Sequence, residues 1–159
     1  MKIISNLVEV HIFRKRKERI EFLLLKRAEN QIYPRIWQMV SGKIKESATN
    51  GEKAFETAIR EVKEETGLVP LKIWVAPKVN SFYSGDSDTI CLVPVFALQV
   101  DKKSKVTLSK EHTKFKWVKS KKAKKMLAWE GQRKALELIE EYFLNERSFL
   151  NFVEVKLPD

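Results

Sequence analysis

The sequence reads EKAFETAIREVKEETGL over residues 52–68, and this stretch decides the interpretation of the fold. Its apolar side chains recur at helical spacing and can form one buried stripe, made of Phe55, Ala58, Ile59 and Val62. The spacing predicts a helix over 52–66. A capping box over 49–52 would begin this helix, and Gly67 is placed to end it in the left-handed conformation.

Three carboxylates share a second face of the predicted helix. Glu61, Glu64 and Glu65 lie on one side of it, displaced from the apolar stripe. Like charges at this spacing cost a helix roughly 0.2–0.5 kcal/mol per pair, so a divalent cation would stabilise the arrangement. Carboxylate oxygens without histidine or thiolate favour Mg²⁺ or Mn²⁺ over Zn²⁺. From the carboxylates alone, a solvated acidic face is the simpler interpretation.

The order of the residues favours the metal site instead. Residues 60–68 match, position for position, the second half of the Nudix box, which runs Arg-Glu-apolar-any-Glu-Glu-any-Gly-apolar. The sequence therefore resembles the Nudix hydrolases. This resemblance implies an α/β fold, an α/β/α sandwich around a mixed β-sheet. It also implies a magnesium-dependent enzyme that hydrolyses an acid anhydride, the diphosphate linkage of its substrate, with manganese as an alternative metal.

The resemblance assigns roles to residues of the helix. Glu61, Glu64 and Glu65 would be the metal ligands. Arg60 would orient these glutamates or contact a phosphate, and one-turn spacing places it to pair with Glu56 or Glu64. A general base is also needed. Glu111 is a candidate because it precedes a late strand, and Glu64 or Glu65 are alternatives. The neighbouring His112 is interpreted as the end of a strand rather than as a catalytic residue.

The first half of the box is less regular. Gly42 corresponds to its first glycine, the backbone carbonyl of Ser41 would lie near the metal, and Lys43 would meet a phosphate. Glu52 corresponds to the earlier glutamate of the box and would support the site, cap the helix, or do both. Nine residues separate Gly42 from Glu52, about four more than the family pattern, so an insertion within 45–50 enlarges a loop at the entrance.

A looser resemblance concerns the substrate. The run WQMVSG over 37–42 and the pair Glu111-His112, followed by Trp117, are similar to the dihydroneopterin triphosphate and dATP pyrophosphatase group. This similarity implies a nucleoside or pterin triphosphate that is cleaved to the monophosphate and pyrophosphate. Two alternatives stay open: an RNA 5′-end pyrophosphohydrolase, motivated by the lysine excess, and a Nudix module that senses a nucleotide without cleaving it.

Composition limits the other classes of protein. A chain of 159 residues with five glycines and five prolines predicts one compact domain over 1–159, with residues 146–159 as an uncertain extension. No apolar run reaches the length of a membrane span, and Cys91 is the only cysteine, so we expect a cytoplasmic protein. Eleven lysines fall between positions 102 and 125, and the net charge is +10. Such a field attracts a nucleotide or a nucleic acid, although a solvated face is the simpler interpretation.

The rest of the chain alternates between strand and helix patterns. Residues 7–13 and 20–25 predict an antiparallel hairpin, with Val8, Val10 and Ile12 on a buried side of the first strand and Glu9 and His11 on the other. Further strands are expected at 71–76, 89–100 and 115–118, around a turn-rich stretch at 80–88. Helices are expected at 119–128 and 131–144, and residues 149–155 would form an edge strand or pack against the body.

Overall fold

The computed structural model describes residues 1–46, 51–145 and 151–159, and we consider these ranges only. Along the chain the elements are β1 (Lys2–Ile4), β2 (Leu7–Arg16), β3 (Arg19–Arg27), β4 (Trp37–Gln38), β5 (Val40–Lys43), α1 (Ala54–Thr66), β6 (Lys72–Ser84), β7 (Thr89–Gln99), β8 (His112–Val118), α2 (Ser120–Met126), α3 (Glu130–Asn145) and β9 (Val153–Val155). No helix in the described ranges has the length and apolar composition needed to cross a membrane.

All these strands belong to one mixed sheet. Its main path runs β4-β3-β2-β7-β6-β9, while β1 pairs with β7, β5 with β2, and β8 with β3. The β2–β7 and β1–β7 pairs are parallel, whereas the β2–β3 hairpin and the other pairs are antiparallel. The expected hairpin and the expected mixed sheet are both confirmed.

Each face of the sheet is covered by helix. On one face, Val8, Val10 and Ile12 pack with Ala58 and Val62 of α1. On the other face, Phe13 and Phe22 pack with Ala123 of α2 and Leu136 of α3. The α/β/α sandwich is therefore confirmed, and we call these two sides the α1 face and the α3 face.

Because helices cover both faces of the sheet, the expectation that β2 is half-buried is wrong. The alternating pattern predicted a half-buried strand with Glu9 and His11 on its polar side. In the structure both side chains are buried on the α3 face, with residue exposures of 6% and 0%. Period-two alternation gives the side of a strand to which a residue points, but whether another layer covers that side is decided by distant helices.

Other differences concern strand lengths. The turn-rich interpretation of 80–88 is wrong for its first part, because β6 continues to Ser84 and only residues 85–88 turn. The β-forming residues of 79–83 pair with β7 beyond an irregularity between Val75 and Val79. Ser41 and Gly42 lie in β5, which pairs with β2. At the C-terminus, β9 pairs with β6 as an edge strand, while the first part of the predicted 149–155 strand lies outside the described residues.

Candidate active site

The site forms where α1 crosses the end of β5. Ala58 and Val62 have 0% exposure and fix the helix on the sheet, so its charged face is turned toward β5 and the start of β8. The helix ends at Gly67, whose φ of 70° is left-handed as predicted. The helix begins at Ala54, where the Glu56 carboxylate accepts a hydrogen bond from the Lys53 backbone N–H at 2.9 Å. The capping box expected over 49–52 lies partly outside the described residues.

Arg60 joins the parts of this site. Its Nε and one terminal nitrogen donate to the two oxygens of Glu52 at 2.7 and 3.0 Å. The other terminal nitrogen donates to Glu61 at 2.7 Å and to Glu64 at 3.1 Å. A further bond, at 3.0 Å, reaches the backbone carbonyl of Lys43 at the end of β5. Of the two partners expected from helical spacing, Glu64 is confirmed, whereas Glu56 caps the helix.

Glu52 closes the enlarged loop onto the helix. One of its oxygens accepts from the Lys45 backbone N–H at 3.0 Å and from the Thr57 hydroxyl at 2.7 Å. The Glu52 backbone N–H in turn donates to the Lys45 carbonyl at 3.2 Å. The hydrogen bond from Arg60 lowers the pKa of the Glu52 carboxyl to about 2. Glu52 therefore supports the site by holding Arg60 and the two ends of the loop.

The lowered pKa of Glu52 predicts how the free energy of unfolding depends on pH. Because the folded pKa of about 2 lies below the ordinary 4.5, Glu52 stabilises the fold above pH 4.5 and loses that contribution as the pH falls toward 2. We expect Glu52→Gln to lower the free energy of unfolding by about 2 kcal/mol at pH 7, allowing for partial exposure. Between pH 4.5 and 2, the free energy of unfolding should fall less in the variant than in the wild type. Urea unfolding at several pH values measures both effects. If the free energy of unfolding fell equally with pH in the wild type and the variant, the lowered pKa of Glu52 would be contradicted.

Two of the predicted metal ligands are shielded from water. Glu65 is 3% exposed, and the side chain of Glu61 is 13% exposed. Burial raises the pKa of Glu65 to about 9, aided by the nearby carboxylates of Glu111 and Glu61. Burial also raises the pKa of Glu61, against the hydrogen bond from Arg60. Glu61 is ion-paired with Arg60, whereas no cation lies within ion-pair distance of Glu65 among the described residues, apart from the neutral His112. Glu64 is also paired with Arg60, but its side chain is 53% exposed.

Glu111 and His112 complete a cluster around Glu65. One ligand atom from each of these three residues lies within 4.8 Å of the other two. Glu111 is exposed, whereas His112 is 4% exposed. Burial lowers the pKa of His112 to about 4, so its imidazole is neutral at pH 7. The predicted base Glu111 thus lies beside the carboxylate face of α1.

The interpretation of His112 as only a strand end is incomplete. His112 does begin β8, but its Nε2 lies 3.2 Å from the Gln38 side-chain amide nitrogen and its Nδ1 lies 3.6 Å from Glu65 Oε1. If the Gln38 amide donates, the imidazole proton is on Nδ1 and faces Glu65. The sequence analysis did not predict this role of His112. It also assigned no role at the site to Gln38 or to Arg27, a nearby cation that lowers the pKa of Glu65. No local signal marks them, since β4, β3 and β8 bring them together only in the folded sheet.

Gly42 lies directly against the Glu61 side chain. A Cβ added at Gly42 would overlap the Cγ, Cδ and Oε1 atoms of Glu61. The predicted first glycine of the box is therefore brought to the predicted metal ligand. Ser41 precedes it in β5, and the side chain of Lys43, at the end of β5, is exposed beside the helix. The metal role of the Ser41 carbonyl and the phosphate role of Lys43 stay predictions.

Gly42→Ala tests this contact. Because the overlapped atoms belong to the far end of a flexible side chain, we expect the fold to survive with a loss below about 1 kcal/mol. Glu61 would however be displaced from Arg60, so we expect kcat to fall by roughly 10²-fold. Turnover assays and thermal melts of the same samples measure both quantities. Undiminished turnover in a folded Gly42→Ala protein would contradict the proposed position of Glu61.

The donor set fits a hard divalent cation. The Glu65 Oε2 atom is buried and has no hydrogen-bond partner among the described residues, which is costly for a carboxyl group unless something else binds it. Oxygen ligands from Glu61 and Glu65 suit Mg²⁺ or Mn²⁺. The missing side chain at Gly42 leaves the room that Glu61 needs. A group of residues that could hold a metal ion, made of Glu65, Glu111 and His112, is therefore present.

Comparison of the chain with known proteins shows the family to which it belongs. The model of the NUDIX domain matches residues 6–139. No curated protein matches the sequence. Among solved structures, a Listeria monocytogenes protein assigned to the NUDIX hydrolases is 27% identical with a TM-score of 0.72, over 89% of this chain and 95% of that one.

Two further structures share the fold at lower identity. An Ap4A hydrolase of C. elegans is 21% identical with a TM-score of 0.72, over 89% of this chain and 98% of its own. The dihydroneopterin triphosphate pyrophosphohydrolase of E. coli is 22% identical with a TM-score of 0.68, over 84% and 93%. Since the family model covers most of the chain and the box residues converge on one site, the chain belongs to the Nudix family of hydrolases, enzymes that act on acid anhydrides.

Proposed function

We propose that this enzyme hydrolyses a nucleoside or pterin triphosphate, with magnesium bound, to the monophosphate and pyrophosphate. The observation that carries the proposal is the cluster of Glu65, Glu111 and His112 on the same side of α1 as Glu61, which Arg60 holds against the end of β5. A buried carboxylate with an unpaired oxygen, as at Glu65, suits a site that binds cations together with a polyphosphate. The looser sequence similarity to the pterin and dATP pyrophosphatases supports the choice of triphosphate.

The metal would be held mainly by Glu61 and Glu65. Glu64 and the Ser41 carbonyl are the other proposed ligands, and the exposure of Glu64 places it on the outer side of the site. When bound, Mg²⁺ supplies charge neutralisation for the diphosphate and a template for in-line attack by water. Mn²⁺ offers the same oxygen preference and would serve as a substitute.

Arg60 acts in this proposal as a positioning residue. Its three nitrogens already donate to Glu52, Glu61, Glu64 and the Lys43 carbonyl, so the direct contact with a phosphate is better assigned to Lys43. The Lys43 side chain is exposed and follows Gly42 directly. Arg60 contributes by holding Glu61 and Glu64 in place against their mutual repulsion.

Glu111 is the proposed general base. It is exposed and lies within reach of Glu65, whereas Glu65 is shielded from water. A solvent-accessible carboxylate can take a proton from the attacking water and release it after each turnover. Glu64 and Glu65 are the alternatives, and the neutral His112 would orient Glu65 through its Nδ1.

Turnover of a small substrate panel tests the proposal. We would incubate the protein with dATP, dGTP, dihydroneopterin triphosphate and Ap4A, with Mg²⁺ or with EDTA, and identify the products. Pyrophosphate and a monophosphate from the triphosphates, lost with EDTA, is the expected result. Cleavage of Ap4A alone would overturn the substrate class, and binding without any products would support the nucleotide-sensing module.

A second candidate, hydrolysis of RNA 5′ triphosphates, is favoured by one observation. A hollow of about 760 Å³ at the tip of the β2–β3 hairpin is lined by five cations and one acid, namely Arg16, Lys17, Glu18, Arg19, Lys102 and Lys103. Such a hollow suits a phosphate backbone. A preference for triphosphorylated RNA over free triphosphates that falls steeply with salt would establish this candidate.

The lone cysteine, buried in β7, agrees with the proposed cytoplasmic location.

A further inference from the structure

The second half of β6 has a strand edge that no other strand covers. Residues 73–75 of β6 pair with both β7 and β9, whereas residues 79–84 pair with β7 alone among the described residues. We call residues 79–84 the open edge. Its apolar side chains Val79, Phe82 and Tyr83 are 57%, 49% and 59% exposed. An exposed strand edge presents unpaired backbone groups that can bind another strand.

The hydrogen bonds of β7 show which of its backbone groups face β6. On the opposite side of β7, the Lys2 N–H of β1 donates to the Asp88 carbonyl at 3.2 Å. The Val100 N–H donates to the Phe13 carbonyl of β2 at 3.0 Å. Backbone groups of successive strand residues alternate between the two neighbouring strands. Even-numbered residues of this segment therefore bond β1 and β2, and odd-numbered residues bond β6.

This alternation identifies the free groups of the open edge. In the β6–β7 register, Phe82 opposes Cys91 and Asn80 opposes Val93, so Phe82 and Asn80 are the residues that bond β7. The residues between and beside them direct their backbone N–H and C=O groups away from β7. These are Val79, Ser81 and Tyr83.

The open edge lacks the lysines and prolines that protect the other edges of the sheet. The edge strand β8 has the exposed side chains of Lys114 and Lys116, and β9 is only three residues long and is followed by Lys156 and Pro158. Such features discourage pairing between proteins. Residues 79–101, in contrast, contain no lysine or arginine, although the chain has 31 of them and a net charge of +10. Two copies can therefore meet here without bringing cations together.

We propose that the open edge pairs with the same edge of a second copy of this chain, antiparallel about a two-fold axis at Ser81. In this register Ser81 opposes Ser81 of the second copy, and Val79 opposes Tyr83 of the second copy. Each of the three residues with free groups then exchanges both backbone hydrogen bonds with the second copy. A pair of an aromatic and a β-branched side chain, such as Val79 with Tyr83, stabilises neighbouring strands.

The register also extends an existing row of apolar side chains. Tyr83 opposes Ile90 on β7, and Ile90 opposes the exposed Ile3 on β1. One apolar row therefore crosses three strands of a single copy. Val79 of the second copy would continue this row onto a fourth strand, and the reverse contact would form by symmetry.

Charge at the two ends of the open edge is complementary in the same register. Lys78 precedes the open edge, and the exposed Asp86 lies in the 85–88 turn that follows it. Neither side chain forms an ion pair among the described residues. Antiparallel pairing brings Lys78 opposite Ser84 of the second copy, close to its Asp86. This complementarity favours a second copy over an unrelated strand.

Concentration dependence tests the pairing in the wild type. Analytical ultracentrifugation should show a mass that rises from 18.6 kDa toward twice that value. Half-dimerisation is expected at roughly tens of micromolar, because a short edge buries less area than a standard interface. By NMR, amide exchange of Val79, Ser81 and Tyr83 should slow roughly fivefold in the concentrated sample, whereas that of Phe82 should not change. A mass that stays at 18.6 kDa up to about 500 µM would overturn the inference.

Opposite charges at Ser81 test the two-fold axis. Ser81→Lys and Ser81→Asp each place like charges opposite one another, so each variant alone should dimerise roughly fivefold more weakly than the wild type. An equimolar mixture of the two should recover the wild-type affinity, because a lysine then opposes an aspartate. Thr113→Lys, at an exposed position of the edge strand β8, is the matched control. It adds the same charge and should dimerise like the wild type.

Ser81→Pro tests the backbone pairing itself. It removes an N–H group that faces the open edge and leaves the β6–β7 hydrogen bonds in place, so the variant should fold and dimerise at least roughly tenfold more weakly. Circular dichroism melts verify the folding of each variant. Dimers that are unaffected by Ser81→Pro, a mixture no tighter than its components, or equal weakening by Thr113→Lys would each overturn the inference. Hydrolysis enters none of these measurements, so their failure would not bear on the proposed function.

Discussion

Glu65→Gln is expected to lower kcat by roughly 10³-fold while the melting temperature stays the same or rises, since the carboxylate that we propose binds the metal is replaced by a neutral side chain of the same shape. Glu65 is 3% exposed, and its pKa of about 9 means that it is protonated at pH 7 when no metal is bound. The amide therefore fits the same space without a charge cost, but it cannot give a cation two anionic oxygens. Pyrophosphate release and circular dichroism melts measure the two effects.

The control for this variant is Glu137→Gln, which removes a carboxylate from an exposed ion pair with Lys124. It should leave both turnover and stability nearly unchanged, because surface ion pairs contribute little. Full turnover by Glu65→Gln would remove Glu65 from the metal site. A large loss of stability in that variant would instead show that the carboxyl makes a structural contact.

Arg60→Lys is expected to lower the free energy of unfolding by about 2–3 kcal/mol and kcat by roughly 10²-fold. The guanidinium donates in fixed directions to Glu52, Glu61 and Glu64, and to the Lys43 carbonyl. A lysine ammonium keeps the charge but cannot span these partners. Glu52 and Glu61 would then be left partly uncompensated. Urea unfolding and turnover at saturating Mg²⁺ measure the losses.

Arg35→Lys is the control for Arg60→Lys, because it makes the same conservative change at an exposed position. Arg35 is exposed and has one long ion pair, at 3.6 Å from Glu29, so its replacement should change stability by less than about 0.5 kcal/mol. If Arg60→Lys were equally harmless, charge alone would account for the role of Arg60. The bidentate contact with Glu52 would then contribute nothing measurable.

Local periodicity was enough to predict α1, the helix that carries most of the site residues. The stripe of Phe55, Ala58, Ile59 and Val62 belongs to one helix, and Gly67 ends it in the left-handed conformation, because both signals depend on neighbours within a few residues. The β2–β3 hairpin was predictable for the same reason. The α/β/α arrangement was not visible in the periodicity and came from the match of residues 60–68 to a family pattern.

Long-range contacts account for what the sequence did not reveal. Gln38, His112 and Glu65 are far apart along the chain and meet only because β4 and β8 both pair with β3. The burial of Glu9 and His11 likewise depends on α2 and α3, which cover a side of the sheet that the pattern of β2 had left polar. The length of β6 depends on its pairing with β7 across the 85–88 turn. None of these contacts has a signature within a short window of sequence.

The arrangement of carboxylates also refines the assignments made from the box. Helical spacing treats Glu61, Glu64 and Glu65 alike, yet the sheet shields Glu61 and Glu65 and leaves Glu64 exposed beside Arg60. We therefore expect the three positions to differ in their effect on metal binding. The contact between Gly42 and Glu61 explains why a glycine is needed so far from the helix in sequence.

Crystals soaked in Mn²⁺ test the central claim most directly, because anomalous scattering locates the ion without any assumption about the substrate. The account predicts an anomalous peak with carboxylate oxygens of Glu61 and Glu65 within roughly 2.3 Å, and loss of this peak in Glu65→Gln. A well-diffracting Mn²⁺ soak with no peak at these oxygens, while the protein still hydrolyses its triphosphate, would contradict it.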